Sequence, residues 1–283
     1  MNVNYCRLIP SWTPPEPETP VAPDSQISPP RADLVLSDAV QAARKNVVRE
    51  PKSADTWLVL GRQLRRQSMH REAVEAFSHG LCHNFMHHLL FRHRAQNYLN
   101  IGRYYEAAAD FNLALRIEPH DFDCWYHLGV AYYLMRDYAK CAEIMGKAAN
   151  ESNSDADRVS SIYWSWFALM RLGEHTKAKT LLDTIGENLN LVTCSSFYQV
   201  LMMCKGLRTP QELLGTPDNT AQNAYIIIQY GVAAYYYTQG DDKAADQTLE
   251  TLLANDTEKR WAGFGYQAAS VDYSRRSEQE VTE

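Results

Sequence analysis

Large apolar side chains recur along this chain at intervals of 34 residues. Trp57 and Trp125 stand two intervals apart, and Phe91 lies midway between them. The same interval relates three further sets of mostly apolar residues: Leu64, Tyr98 and Tyr132; Ala73, Ala107 and Cys141; and Phe77, Phe111 and Met145. A period of this length is typical of a supersecondary unit that contacts only its neighbours, and it therefore predicts a quasi-linear array of repeats.

A short motif surrounds two of these tryptophans. It reads Trp57-x-x-Leu60-Gly61-x-x-Leu64 in one repeat and Trp125-x-x-Leu128-Gly129-x-x-Tyr132 in another. With the period of 34 residues, this motif resembles the tetratricopeptide repeat (TPR) family. The resemblance covers residues 37–275 and is most specific over 54–121 and 122–150. It implies an all-α fold, a right-handed α-solenoid of TPR-type helix-turn-helix repeats.

Composition and register divide the chain into four parts. Residues 1–32 contain eight of the twelve prolines, which favours a disordered proline-rich leader. Residues 33–53 predict an N-terminal capping helix. Residues 54–257 predict the TPR array, with five to six repeats and a degenerate stretch at 191–225. Residues 258–283 predict a C-terminal capping helix and a polar tail.

The leader leaves two interpretations open. Pro14, Pro17, Pro20 and Pro23 recur every three residues, so polyproline II geometry would align them along one edge. Such an edge can dock on an SH3-like domain. A solvated linker without a ligand is the interpretation that its composition favours.

Charge and composition exclude several functional classes. The net charge of −6 argues against nucleic-acid binding, which needs a basic surface. The tyrosine groups at 132–133 and 235–237 could stack on bases, but the repeat register directs one tyrosine of each group into the core. No apolar run is long enough to span a membrane, and we expect no membrane association. The six cysteines form no CxxC pair, which predicts reduced thiols in a cytoplasmic protein.

The resemblance also implies a binding site, because TPR proteins as a family bind peptides along a concave groove lined by the first helix of each repeat. Carried over by register, the partner-binding residues here are Arg62, Arg66, Arg92, His93, Gln96, Tyr126, His127, Tyr133, Tyr163 and Trp164. Arg65, Arg171, Tyr230 and Tyr237 extend the same surface. Such a groove is basic at one end and aromatic towards the middle, which favours an extended, acidic or aromatic segment. The alternative is that these are solvated arginines and packing tyrosines.

Catalytic and metal-binding motifs are weak or missing. His79 and His83 have a spacing that can bind a metal from one helix, and Cys82 lies between them. Asn84 and Phe85, however, stand where a repeat normally turns, so a third ligand would depend on chance. We therefore expect ordinary surface histidines, no metal and no cofactor. The sequence has no GxSxG, phosphate loop or HExxH motif, which favours a protein that is not an enzyme.

Taken together, these patterns predict a non-catalytic scaffold or adaptor that binds an extended peptide segment of another protein in the concave TPR groove. The alternatives are a regulatory or self-assembling module linked to an enzyme system, and a ligand-sensing TPR protein.

Overall fold

The computed structural model describes residues 35–215, 222–254 and 263–280, with side chains in the last segment up to Ser274. The predicted leader at 1–32 lies outside the described residues. Every regular element in the described ranges is a helix, so the predicted all-α organisation in successive helix pairs is confirmed.

The chain divides into two compact units, residues 1–124 and 125–283, called here the N-terminal unit and the C-terminal unit. The N-terminal unit contains α1 (Asp38–Arg49), α2 (Ala54–Arg66), α3 (His70–His83), α4 (His88–Asn100) and α5 (Tyr104–Ile117). Helix α6 (Phe122–Leu134) begins at the boundary. The C-terminal unit continues with α7 (Tyr138–Asn150), α8 (Asp155–Arg171), α9 (His175–Asp183), α10 (Ser195–Cys204), α11 (Pro210–Leu214), α12 (Gln222–Thr238), α13 (Asp242–Ala254) and α14 (Phe264–Glu280).

The repeat residues of the N-terminal unit form its core. Trp57, Leu64 and Phe77 are fully or almost fully buried. The indole of Trp57 also donates a hydrogen bond from Nε1 to the Pro51 carbonyl, 2.8 Å away, which fixes the start of α2. A Cβ on Gly61 would overlap the ring of Phe77, so α2 and α3 can approach this closely only because residue 61 is glycine.

A glycine also permits close approach of two helices in the C-terminal unit, where α6 packs against α7. A Cβ on Gly129 would come within 2.7 Å of the Met145 Cε atom. The degenerate stretch still forms helices: α11 begins with a capping box between Thr209 and Glu212, in which each side chain bonds to the other residue's backbone. Local capping therefore helps to start this short helix in a stretch that is poor in the repeat pattern.

Candidate partner-binding faces

The predicted site residues fall into two groups, one in each unit, and each group forms a face of its own. The arginine face consists of Arg62, Arg65 and Arg66 on α2 with His93 and Gln96 on α4. The aromatic face consists of residues from three helices of the C-terminal unit: Tyr126, His127 and Tyr133 on α6, Tyr163, Trp164 and Arg171 on α8, and Tyr230 on α12.

The arginines of α2 form no ion pair with any residue that the structure describes. Arg62 and Arg66 are exposed. Arg66 donates to the Gln63 amide oxygen at 3.1 Å, and Arg65 donates to the Gln96 Oε1 atom at 2.9 Å. Among the described residues, no carboxylate lies within ion-pair distance of any of these three guanidinium groups. Within the described residues, no ion pair therefore neutralises these three charges.

Arg92 differs from the arginines of α2, because its charge is neutralised within the unit. Its Nη1 atom lies 3.1 Å from the Asp121 carboxylate, and its Nη2 atom lies 2.9 Å from that of Asp123. Burial acts to raise the pKa of Asp121, but the Arg92 guanidinium outweighs burial and the pKa is lowered. Arg92, which the sequence predicts as a partner contact, is thus held by two aspartates.

His93 and Gln96 form a buried, neutral floor beneath Arg65. The His93 Nδ1 atom lies 3.3 Å from the Gln96 Oε1 atom, which also accepts from Arg65. Burial, and then the charge of Arg92, lower the pKa of His93 to about 4, so its ring is neutral at pH 7. Asn97 donates to the His93 carbonyl at 2.7 Å and fixes the helix beneath it. These two predicted site residues therefore position Arg65 and are themselves nearly inaccessible.

Four residues of the aromatic face, Tyr133, Tyr163, Trp164 and Tyr230, are buried, whereas Tyr126, His127 and Arg171 are partly exposed. Tyr133 is only 2% exposed, and Tyr163 and Trp164 are 0% exposed. The Trp164 indole donates to the Tyr126 hydroxyl at 3.0 Å, and the Tyr133 ring packs edge-on against Trp164 with centroids 4.9 Å apart. The physical reason is packing among the helices of this unit: Tyr163 lies against Phe197 of α10 and donates to the Ile227 carbonyl of α12, and Trp164 packs against Tyr133 and Tyr230.

Four contacts fix α14 on this surface. The Phe264 ring packs edge-on against His127 of α6, with centroids 5.5 Å apart. Two further contacts anchor Asp272, whose Oδ2 atom lies 2.6 Å from the Arg171 Nη2 atom and accepts from the Tyr230 hydroxyl at 3.1 Å. Arg136 donates to a backbone carbonyl of α14, that of Val271, at 2.6 Å. The Tyr230 hydroxyl also lies 2.7 Å from that of Tyr133, so a hydrogen-bonded chain links α6, α12 and α14.

The repeat register predicts Tyr133, Arg171 and Tyr230 on one surface, and the structure brings them together. The register does not predict that Asp272 joins Arg171 and Tyr230. The signal was weak, because Asp272 lies in a polar segment outside the repeat period, where an acidic residue is normally solvated.

The histidines of α3 and of the turn that follows it make separate contacts. His79 stacks on Trp57 with centroids 4.7 Å apart, while the His87 Nε2 atom lies 3.2 Å from the Asp55 carboxylate. Within residues 35–215, 222–254 and 263–274, no three histidine, cysteine or acidic side chains are arranged to hold a metal ion. No helix in the described part of the chain has the length and apolar character needed to cross a membrane.

Comparison with known proteins agrees with this architecture. Residues 93–121, from His93 in α4 to the end of the α5 repeat, match the family model described as tetratricopeptide repeat. A solved tetratricopeptide repeat protein from Parabacteroides merdae superposes with a TM-score of 0.52, at 17% identity over 86% of this chain and 89% of that chain. This chain therefore contains a tetratricopeptide repeat at residues 93–121, and its fold is similar to that of a tetratricopeptide repeat protein.

Two further proteins are similar to parts of this chain. Human superkiller complex protein 3 is 39% identical over 56 residues, which are 20% of this chain and 4% of that protein. The match therefore spans a small fraction of the curated relative. The structure of YrrB, described as a TPR protein with an unusual peptide-binding site, covers 79% of this chain and 97% of its own at 13% identity, with a TM-score of 0.49.

Proposed function

We propose that this TPR protein is a non-catalytic scaffold whose arginine face binds an extended, acidic segment of another protein. The TPR fold supports a role in protein–protein interaction in general, and the family is generally non-catalytic. The single observation that carries the finer proposal is the set of arginines on α2 that have no acidic partner in the described part of the chain.

The geometry of these arginines suits a carboxylate-rich ligand. Arg62, Arg65 and Arg66 are three and four positions apart, so they share one side of α2. Each guanidinium presents a planar fork of donors that can bond a carboxylate through two parallel hydrogen bonds. Because Gln96 already holds Arg65 in place, ordering its side chain costs little when a ligand binds.

The electrostatics of the face favour an anion as well. Burial lowers the pKa of Arg65, and the nearby positive charges of Arg92 and Arg62 lower it further, against the opposing effect of Asp123. A bound carboxylate relieves this repulsion between like charges. His93 is neutral at pH 7 and adds no charge of its own. The face therefore gains most from a ligand that brings negative charge without large apolar groups.

The state of the cysteines supports a cytoplasmic location. Cys82, Cys124, Cys141, Cys194 and Cys204, the cysteines in the described ranges, are all free thiols. Free thiols of this number are typical of a reducing compartment.

Fluorescence anisotropy with a labelled peptide of alternating Glu and Ser tests the acidic ligand, and a peptide with Gln in place of Glu is the matched control. We expect the double substitution Arg62→Glu and Arg66→Glu to weaken binding of the acidic peptide about 30-fold or more, which corresponds to about 2 kcal/mol. The control variant is Arg116→Glu, which makes the same charge change at an exposed position of α5 in the same unit.

The proposal fails if the double variant binds the acidic peptide as the wild type does. It also fails if Arg116→Glu weakens binding as strongly, because the attraction would then come from overall charge. The Gln peptide should bind neither the wild type nor the double variant measurably.

A further inference from the structure

A pocket of about 170 Å³ lies in the C-terminal unit, between helices α10, α11 and α12. One wall is polar and is formed by Ser195 and Ser196 of α10 with Arg208 of the turn that follows it. The other wall is apolar and includes Leu213 of α11 and Ile228 of α12. A protein cavity of about 150 Å³ binds benzene, so a pocket of this size suits one compact group.

The pocket follows from the shortness of the second helix in this repeat. Helix α11 has 5 residues, whereas the second helices α3, α5, α7 and α13 have 13 or 14. When a short loop joins two antiparallel helices, the end of the second helix lies beside the start of the first. Because α11 ends at Leu214, no further turn of it covers the first turn of α10. The degenerate repeat thus forms a pocket that a complete repeat would fill.

The pocket lies outside the predicted concave groove. Ile228 and Tyr230 are two positions apart on α12, and successive residues of an α-helix are rotated by about 100°. Their side chains therefore point to nearly opposite sides of the helix. Tyr230 meets Tyr133 of α6, while Ile228 and, one turn before it, Ala224 line the pocket. A ligand in the pocket would not compete with one in the groove.

Ser196 is the residue that points to a ligand. It lines the pocket, yet it is only 8% exposed. No residue in the described part of the chain forms a hydrogen bond with its hydroxyl group. Leaving a buried hydroxyl without a partner is unfavourable, and most such groups in native proteins are satisfied. An acceptor bound in the pocket would satisfy this one.

The polar wall favours a negatively charged acceptor. The N-cap residue of α10, Cys194, makes no side-chain hydrogen bond to the helix, so the N–H groups of the first turn can bind an anion. Arg208 is exposed, and no carboxylate of the described residues lies within ion-pair distance of it. The charge of Arg208 does act on Glu212, but the Oε2 atom of Glu212 accepts from the Thr209 N–H at 2.7 Å. The guanidinium can therefore bond a carboxylate through two parallel hydrogen bonds.

The apolar wall favours an alkyl group on the same ligand. Leu213 is buried, and Ala224 and Ile228 are partly buried. Covering the remaining apolar area of these side chains is favourable, and an inorganic anion would leave that area in contact with water. The two walls together match a molecule with a carboxylate at one end and a short branched alkyl group at the other.

We infer that this pocket binds a free branched carboxylic acid of about four to six carbon atoms, as its carboxylate. The carboxylate lies between Ser196, the start of α10 and Arg208, and the alkyl group lies against Leu213 and Ile228. This site is separate from the arginine face and does not depend on what binds there.

Methyl NMR of the full chain tests the inference, with 3-methylbutanoate as the probe. We expect saturable shifts of the Leu213 and Ile228 methyl signals, with a dissociation constant of about 1 mM because the ligand is small. 3-Methylbutan-1-ol has the alkyl group without the charge, and acetate has the charge without the alkyl group. Each should bind at least about tenfold more weakly. N-Acetyl-leucine imitates the C-terminal residue of a protein and should also bind at least about tenfold more weakly, because the pocket has no room for the added amide.

Two variants locate the site. Arg208→Gln and Ser196→Ala should each raise the dissociation constant of 3-methylbutanoate at least about fivefold, since each removes a donor to the carboxylate. The control is Lys243→Gln, which removes one positive charge at an exposed position of α13 in the same unit and should change it less than about twofold. Ser196→Ala should leave the melting temperature of the ligand-free protein unchanged or raised, because the lost hydroxyl has no partner in the described part of the chain.

Several results would overturn the inference. The pocket is not a carboxylate site if 3-methylbutanoate shifts neither methyl signal at about twenty times the expected dissociation constant, or if the alcohol binds as tightly. If Lys243→Gln weakens binding as much as Arg208→Gln does, the attraction comes from overall charge. Tighter binding of N-acetyl-leucine than of the free acid would assign the pocket to the C-terminus of a protein. A lower melting temperature of Ser196→Ala would show that the hydroxyl already has a partner within the chain.

Discussion

In the N-terminal unit, Arg62 and Arg66 extend from α2 into solvent, and no carboxylate in the described part of the chain pairs with them. In the C-terminal unit, Arg171 occupies a comparable place on a first helix, but it lies beneath α14 and is paired with Asp272 at 2.6 Å. The same residue type on the same kind of repeat scaffold thus serves two purposes. Whether another helix covers the surface decides between them.

The difference teaches how burial changes the energetic value of a charge. An exposed guanidinium is solvated, contributes little to folding and keeps its charge for a partner. A buried guanidinium that loses its carboxylate is costly, since neither water nor another anion replaces the lost partner. We therefore expect acidic ligands to bind the arginine face. We expect substitutions in the aromatic face to change the free energy of unfolding.

The largest expected effect comes from removing the acidic anchor of α14. Asp272→Ala leaves Arg171 without its carboxylate, and we expect the free energy of unfolding of the C-terminal unit to fall by about 3–5 kcal/mol. Urea denaturation followed by hydrogen exchange measures the loss and locates it. Exchange should increase in α14 and α12, while α2 to α4 of the N-terminal unit keep their protection.

The control is Glu143→Ala, which also removes one carboxylate of an ion pair in this unit. Its partner Lys147 is 2.8 Å away, but both side chains are about half exposed. We expect a loss below about 0.5 kcal/mol from this variant. Equal losses from both substitutions would contradict the view that burial separates the two pairs.

The next largest effect is a dependence of the stability of the N-terminal unit on pH, which we expect from His93. Burial and the charge of Arg92 lower the pKa of His93 to about 4, from the usual histidine value of about 6.5. A lowered pKa means that the unfolded chain binds the proton more readily, so stability is complete above about pH 6.5 and declines as the pH falls towards 4. Between pH 7.5 and pH 4.5 we expect His93 to account for a loss of about 2–3 kcal/mol.

The variant His93→Gln isolates this contribution, because carboxylates that titrate in the same range are common to both proteins. Urea unfolding at the two pH values should show a smaller pH dependence for the variant than for the wild type. An identical pH dependence would mean that the ring is already protonated in the folded protein or is accessible to water.

How far the sequence predicts this structure can be seen at particular residues. The period of 34 residues places Trp57, Leu64 and Phe77 in the core, and the structure confirms their burial. The repeat register also places Tyr133 and Trp164 on one surface, because each lies on the first helix of its repeat. Period and register follow from local sequence, and such features are accessible without coordinates.

What covers a surface is a different question, and the sequence did not answer it. Helix α14 belongs to no repeat, and its inward positions at Gly265, Ala268 and Ala269 give little apolar signal. The function of Asp272 depends on meeting Arg171, which is 101 positions away in the chain. Contacts of this separation arise from tertiary packing, and propensity and spacing do not encode them.

A smaller effect is expected when a glycine between two packed helices is replaced by alanine. The loss of stability should differ between the two units. At Gly61 an added Cβ overlaps the ring of Phe77, which is fully buried and cannot move away. At Gly129 the added atom meets the Met145 Cε atom at 2.7 Å, and that flexible side chain can change rotamer. We expect Gly61→Ala to cost about 1–3 kcal/mol. Gly129→Ala should cost less than about 1 kcal/mol, because the helix propensity of alanine offsets part of the strain.

Thermal unfolding of the two alanine variants, measured side by side, checks this ranking. Gly173→Ala is unsuitable as a reference, since Gly173 has a φ of +73° and any side chain there is strained. Gly146 is suitable, because a Cβ at that position meets no atom within 4 Å and the backbone is helical. Gly146→Ala should be neutral or stabilising, and a loss equal to that of Gly61→Ala would show that packing against Phe77 is not the cause.

The smallest expected effect is that of Arg66→Ala on stability. Arg66 is exposed and bonds only the Gln63 amide among the described residues, at 3.1 Å. Surface substitutions of this kind change the free energy of unfolding by less than about 0.5 kcal/mol. The same variant should nevertheless weaken binding of the acidic peptide and reduce the dependence of that binding on salt, because one charge fewer attracts the ligand. Urea unfolding and anisotropy titrations at two salt concentrations measure the two quantities on one preparation. A stability loss above about 1 kcal/mol would mean that an anion of the chain itself holds Arg66, as Asp272 holds Arg171. In that case the arginines of the arginine face would be paired within the chain, as Arg171 of the aromatic face is. The two units would then no longer differ in whether their arginine charges are free for a partner.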